Sequence, residues 1–216
     1  MFLKNFFYFL FNSIYKKSCC VCNNQQGENF LCKTCAKLLN YLPSYPHTKI
    51  EGVDVYSCFN YEEQIKTLIH SYKFFHKRDL CVHFGSFLYK YFVSILKEEK
   101  YIIVYVPSHK NRLKKRGFNH IKLIAEEFSK LSNIPVAENV LIKTKETIPQ
   151  YELKYNERKE NIKGSFGINF PDYKGEKIII IDDIITTGST LSEIIKEFKK
   201  NKIENLVCLT LCKTKI

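Results

Sequence analysis

Apolar and polar positions divide this chain into segments of two different periods. "VDVYSCFNY" (53–61) alternates as a strand does. "EEQIKTLIHSYKF" and "DLCVHFGSFLYKYFVSILKEE" return apolar residues every three or four positions and predict two helices. "YIIVYVP" (101–107) is an apolar run stopped by Pro107 and predicts a strand. A helix is expected over 121–131, with short strands inside 136–144 and 165–170. "KIIIIDD" reads as a strand, "STLSEIIKEFKKN" as a helix and "NLVCLTLCKT" as a final strand. Residues 145–163 are polar, charged and without periodicity, and read as a long mobile loop. Strands alternate with helices and the strand runs are continuously apolar. The expected fold class is therefore α/β, a parallel sheet flanked by helices.

The first 50 residues break this pattern. Residues 1–17 predict a helix, but Lys4, Asn5, Asn12 and Ser13 interrupt it. Its apolar stretch is shorter than the roughly 20 residues a spanning helix needs. No small-residue cleavage site follows, which argues against a secretory signal. Two placements fit: an amphipathic helix docked on the protein, or a peripheral helix on the inner membrane face. Residues 18–50 are short, turn-rich and cysteine-bearing. The expected organisation is an N-terminal helix and cysteine module over 1–50 and an α/β domain over 51–216.

Composition adds two constraints. Hydrophobic content of 45% with 14% aromatics requires a folded core. A net charge of +12 fits either a solvated basic surface or a phosphate-rich partner. Nine cysteines without a secretory signal point to a reducing compartment, so a cytoplasmic location is expected, extending to the inner face of the membrane.

The cysteines are not evenly spread. Cys19-x2-Cys22 and Cys32-x2-Cys35 are separated by nine residues. Each pair can sit on one tight turn and aim two thiolates at a single ion, and two such turns make a tetrahedral zinc site. The alternative is a pair of redox CxxC motifs, for which the βαβ setting is missing. Cys20 is left outside the ligand set. Cys58, Cys81, Cys208 and Cys212 fall in apolar elements and read as small core residues.

The other chemical signal is "IIIIDDIITTGST" (178–190). A buried strand ends in Asp182 and Asp183, followed by Thr186, Thr187, Gly188, Ser189 and Thr190 just before a helix. Open α/β sheets bind ligands at the carboxyl ends of their strands. A helix N-terminus favours phosphate, and glycine allows close backbone approach. Carboxylates that accept from vicinal hydroxyls, with a phosphate cradle beyond them, describe a ribose 5-phosphate site. The alternative is an ordinary strand–turn–helix with a capping Ser or Thr. No lysine follows the glycine, which argues against a P-loop NTPase. A second run, "VPSHKNRLKKRGFNH" (106–120), carries Lys110, Arg112, Lys114, Lys115 and Arg116 with no acid. It suits pyrophosphate, a nucleic-acid backbone or a solvated helix start.

The run at 178–190 resembles the phosphoribosyl pyrophosphate (PRPP) motif of type I phosphoribosyltransferases. The basic run ending in "RGFN", the segment closing on Lys73-Phe74, the "TIPQYELKYNERKENIKGSF" stretch and the double CxxC module are similar to the ComF (competence protein F) family. His120 departs from the Gln usual after "RGFN". The resemblance implies a type I phosphoribosyltransferase fold. It also implies that Asp182 and Asp183 hold ribose hydroxyls, with magnesium accompanying PRPP, and that Thr186 to Thr190 cradle the 5-phosphate. Pyrophosphate would meet Ser108, His109 and Lys110, with Arg112, Arg116 and Arg158 stabilising charge. The 145–163 loop would act as a lid. The same resemblance implies a role in natural competence, the import of single-stranded DNA into the cytosol alongside the uptake machinery. The alternatives are an active phosphoribosyltransferase with an unidentified acceptor and a non-catalytic PRPP sensor. No cysteine stands at position 2, so an N-terminal glutaminase of the amidophosphoribosyltransferase kind is not expected, and no helix-turn-helix signature appears.

Overall fold

The computed structural model describes residues 17–24, 29–95, 99–108, 113, 117–145 and 161–214. After a short helix α1 (Lys33–Lys37), a hairpin joins β1 (Thr48–Ile50) to β2 (Val53–Asn60). Its turn residues Glu51 and Gly52 have φ of 49° and 81°. Left-handed residues at both turn positions match the twist of the flanking strands, which is why two residues suffice.

Helices α2 (Glu63–Phe74) and α3 (Leu80–Val93) then carry the chain to β3 (Tyr101–Tyr105). Helix α4 (His120–Ser132) follows, then β4 (Leu141–Lys143) and β5 (Phe166–Ile168), paired antiparallel as a separate two-stranded sheet. The chain finishes with β6 (Lys177–Ile185), α5 (Ser189–Lys200) and β7 (Leu206–Lys213). The main sheet has the order β1-β2-β7-β6-β3. All its neighbours are parallel except β1, which runs antiparallel to β2. The expected parallel sheet is present. Short β1 and the β4–β5 ribbon are antiparallel additions to it.

The isoleucine run of β6 shows how the layers form. Side chains alternate across a strand, so Ile179 and Ile181 pack with Ile65, Leu68, Phe84, Leu88, Ile124 and Phe128 from α2, α3 and α4. Ile178 and Ile180 pack on the other face with Leu191, Ile194 and Phe198 of α5 and Phe166 of β5. Each buried isoleucine contributes about 1.5–3 kcal/mol. Helices α3 and α4 approach closely where Gly85 faces α4; a Cβ there would lie 2.4 Å from Glu127 Cβ.

The connections decide where a ligand can enter. Beyond α4 the chain returns along the outer side of β3, where Ile103 N–H donates to Pro135 O at 2.9 Å and Ala137 N–H to Ile103 O at 2.8 Å. Helix α4 therefore leads outward from β3 over one face. Helix α5 leads from β6 toward β7 over the other face. The two crossovers diverge from neighbouring strands, which opens a crevice at the carboxyl ends of β3 and β6.

Candidate functional site

The crevice draws groups from four elements. Val106 N–H donates to Ile181 O at 3.0 Å and extends the pairing of β3 with β6 as far as the loop that carries Ser108. Strand β6 supplies Asp182 and Asp183. Helix α4 begins at His120, with the Asn119 side chain capping its first turn through Lys122 N–H at 3.3 Å. Helix α2 contributes Lys73 from its last turn.

These groups form a connected chain. Asp183 Oδ2 is in a close ion pair with Lys73 Nζ and lies 3.0 Å from His120 Nε2. His120 Nδ1 lies 3.3 Å from Ser108 Oγ. A carboxylate only accepts, so Nε2 carries the proton on that bond. Nδ1 then accepts from the Ser108 hydroxyl in the neutral ring, or donates to it in the cation. Asp182 behaves differently. It follows the opposite face of the strand, and its Oδ1 accepts the Asp183 N–H at 2.9 Å.

Electrostatics separates the two acids. Burial and the adjacent Asp183 charge push the Asp182 carboxyl up to about 7. Burial also opposes ionisation of Asp183, but the Lys73 charge and the His120 hydrogen bond outweigh it and hold that carboxyl well below the usual range. Adjacent acids whose surroundings drive their acidities apart occur mostly at functional sites.

Past the acids, the chain turns through Gly188 at φ 76°. A Cβ there would also sit 2.6 Å from Ile50 Cδ1 of the β1–β2 hairpin. Helix α5 starts at the next residue, and the Thr187 and Ser189 hydroxyls are 2.8 Å apart. The hairpin is tied to α5 by Ser192 Oγ donating to Glu51 Oε1 at 2.7 Å and by Lys196 pairing with Glu51 at 3.1 Å. The loop thus places backbone N–H groups, hydroxyls and a helix dipole beside two carboxylates. Of the residues singled out in the sequence, Ser108, Asp182, Asp183 and 186–190 converge on the crevice; His109, Lys110, Arg112, Arg116 and Arg158 lie outside the described residues.

Lys73 and His120 are the two site residues whose contact with the acids the sequence did not reveal. A signal existed for Lys73. It falls four residues after Ile69 and eight after Ile65, both buried, so it stands on the apolar face of α2. A lysine there needs a partner.

The four cysteines meet as a second cluster. The sulfurs of Cys19, Cys22, Cys32 and Cys35 all lie within 4.8 Å of one another. Cys22 Sγ and Cys32 Sγ are 3.8 Å apart. Zinc–sulfur bonds of about 2.3 Å in a tetrahedron give sulfur edges near that length, so the set fits the ion. Cys35 N–H donates to Cys32 Sγ at 3.4 Å. Burial raises the Cys19 thiol, but the N–H groups of Cys22, Cys32 and Val21 outweigh it and lower the group to about 6. Lys17 pairs with Asp79, and Lys77 lies 3.4 Å from Cys20 Sγ, which joins the cluster to the α2–α3 turn. Cys58, Cys81, Cys208 and Cys212 are buried, and burial pushes all four thiols up. The predicted N-terminal helix lies outside the described residues. Among those that are described, no helix is long and apolar enough to cross a membrane.

Residues 114–215 match the family model of the phosphoribosyl transferase domain. Competence protein F of Haemophilus influenzae is 32% identical over 106 residues, 48% of this chain and 46% of its own length. The chain thus spans about half of that relative. The DNA utilization protein YhgH of Escherichia coli K12 is 27% identical over 162 residues, 72% of this chain and 70% of its own. Among solved structures, the adenine phosphoribosyl transferase of Trypanosoma brucei aligns over 84% of this chain and 78% of its own, at 14% identity and a TM-score of 0.38. The chain therefore carries a phosphoribosyl transferase domain on an α/β sheet beside a four-cysteine cluster, and it is similar to competence protein F and to the DNA utilization proteins.

Proposed function

We propose that this protein binds PRPP with its magnesium in the crevice between β3 and β6 and serves DNA uptake or utilisation. The observation that carries the reading is the placement of Asp182, Asp183 and the Thr-Thr-Gly-Ser loop together at the topological switch point. The acids suit ribose hydroxyls, and the start of α5 suits the 5-phosphate. The basic run around Arg112 and Arg116, with Arg158 further along the sequence, would neutralise pyrophosphate or single-stranded DNA. The two groups of relatives are named for competence and DNA utilisation, which supports the import of single-stranded DNA on the cytosolic side. Zinc at Cys19, Cys22, Cys32 and Cys35 would be structural, since the four sulfurs leave no position for a substrate.

The test is calorimetric titration with PRPP and magnesium. The wild type should bind, and Asp182→Asn combined with Asp183→Asn should lose at least about a hundredfold in affinity, the scale of two hydrogen bonds to charged groups. Undiminished affinity in a folded double variant would refute the site. Pyrophosphate release from bound PRPP, with and without single-stranded DNA, separates turnover from binding alone.

A further inference from the structure

We infer that Lys73 and His120 are positioning residues for sugar recognition: they fix the Asp183 carboxylate through one oxygen and leave the other to accept from a ribose hydroxyl. The inference rests on the PRPP-site reading and adds to it the two residues that set its selectivity for ribose.

Both contacts fall on Oδ2, and among the described residues no hydrogen bond reaches Oδ1. The two partners come from different helices. Lys73 closes α2 and His120 opens α4, and the side chains are only 18% and 11% exposed. Tyr72, the neighbour of Lys73, donates its hydroxyl to His120 O at 2.7 Å and locks the helices together at this point. His120 then reaches Ser108 on the β3 loop. The Cys212 thiol lies 3.7 Å from the backbone carbonyl of Asp183.

Such a frame has a chemical purpose. A carboxylate on a broad terminal torsion must be ordered when it binds, and that ordering costs affinity. Asp183 is ordered beforehand by groups outside its own strand. Asp182 lacks this support, since its nearest hydrogen bond is to the next residue of the same strand. Discrimination between ribose and deoxyribose then depends on Lys73 and His120, although neither need touch the sugar. A lysine buried on the apolar face of a helix is costly unless paired, so packing alone gives no reason for Lys73.

The experiment measures binding of ribose 5-phosphate, its 2-deoxy and 3-deoxy analogues and inorganic phosphate to the full-length chain. The wild type should prefer ribose 5-phosphate over at least one deoxy analogue by about tenfold or more, as expected for a hydrogen bond to a charged acceptor. Lys73→Met should reduce that ratio below about threefold, with affinity for inorganic phosphate falling less than affinity for ribose 5-phosphate. Lys73→Arg and His120→Gln, which still donate to Oδ2, should restore most of it. His120→Leu should resemble Lys73→Met and provides the test should that variant unfold. Folded Lys73→Met or His120→Leu with the wild-type ratio would overturn the inference alone. A wild type that binds neither ribose 5-phosphate nor its analogues would overturn the site reading and the inference together.

Discussion

At the scale of residues, the two adjacent acids do different work because a strand sends neighbours to opposite faces. Asp183 meets a lysine and a histidine, whereas Asp182 meets burial and its neighbour's charge. The consequence for stability has a definite sign. The Asp182 carboxyl is raised from 3.8 to about 7 in the folded chain, so the folded state holds a proton that the unfolded state releases. Stability is then fully present below the ordinary carboxylate range and falls as pH rises toward 7 and beyond. Asp183 runs the other way, and its contribution is lost only in strong acid. Asp182→Asn should therefore gain melting temperature relative to wild type as pH is raised from about 5 to about 8. An equal offset at both pH values would contradict the assignment. The acid pair itself was legible in the sequence. Its division was not, because Lys73 and His120 are 110 and 63 positions away from Asp183.

At the scale of elements, most strands and helices follow from periodicity, since long apolar runs and helical stripes each have only one comfortable conformation. The predicted helix over 121–131 forms at His120–Ser132, and the predicted strand at 53–61 forms at Val53–Asn60. What periodicity missed is short. Strand β1 has three residues and depends on a two-residue turn whose first member is a glutamate at positive φ, an unusual turn residue. Helix α1 has five residues, and its N-cap is Cys32, whose sulfur accepts from Cys35 N–H. Sulfur is a weaker acceptor than the oxygens that usually cap helices, so the sequence carries no strong start signal there. The contact between α3 and α4 is another matter of elements. Gly85→Ala should destabilise the chain by about 1–3 kcal/mol, because the added methyl meets the α4 backbone at 2.9 Å and not merely a movable side chain. Urea denaturation measures this, and a change below about 0.5 kcal/mol would show that the helices can separate at little cost.

At the scale of the whole molecule, the cysteine cluster and the α/β sheet share one core. Cys19, Leu31, Cys32 and Cys35 pack in the same apolar layer as α2 and α3, and Lys17 and Lys77 both lie over the Phe30 ring. Zinc in the cluster should accordingly support the main unfolding transition. Elemental analysis should give one zinc per chain. Chelation or Cys35→Ser should lower the principal melting temperature, and a main transition that stays put while zinc leaves would contradict this coupling. The sequence by itself determined the α/β class, the four-cysteine set and the strand–acid–glycine–helix signature, because each is a local pattern with its spacing written in consecutive residues. Only the tertiary structure decided that β3 and β6 are neighbours with diverging crossovers, that Ile50 closes over Gly188, and that Lys73 and His120 converge on a single oxygen of Asp183. These are contacts between segments far apart along the chain, and they form when the hydrophobic faces of α2, α4 and β6 are buried against one another. No local pattern records that burial, so no local reading could locate the partners of the acids it had found.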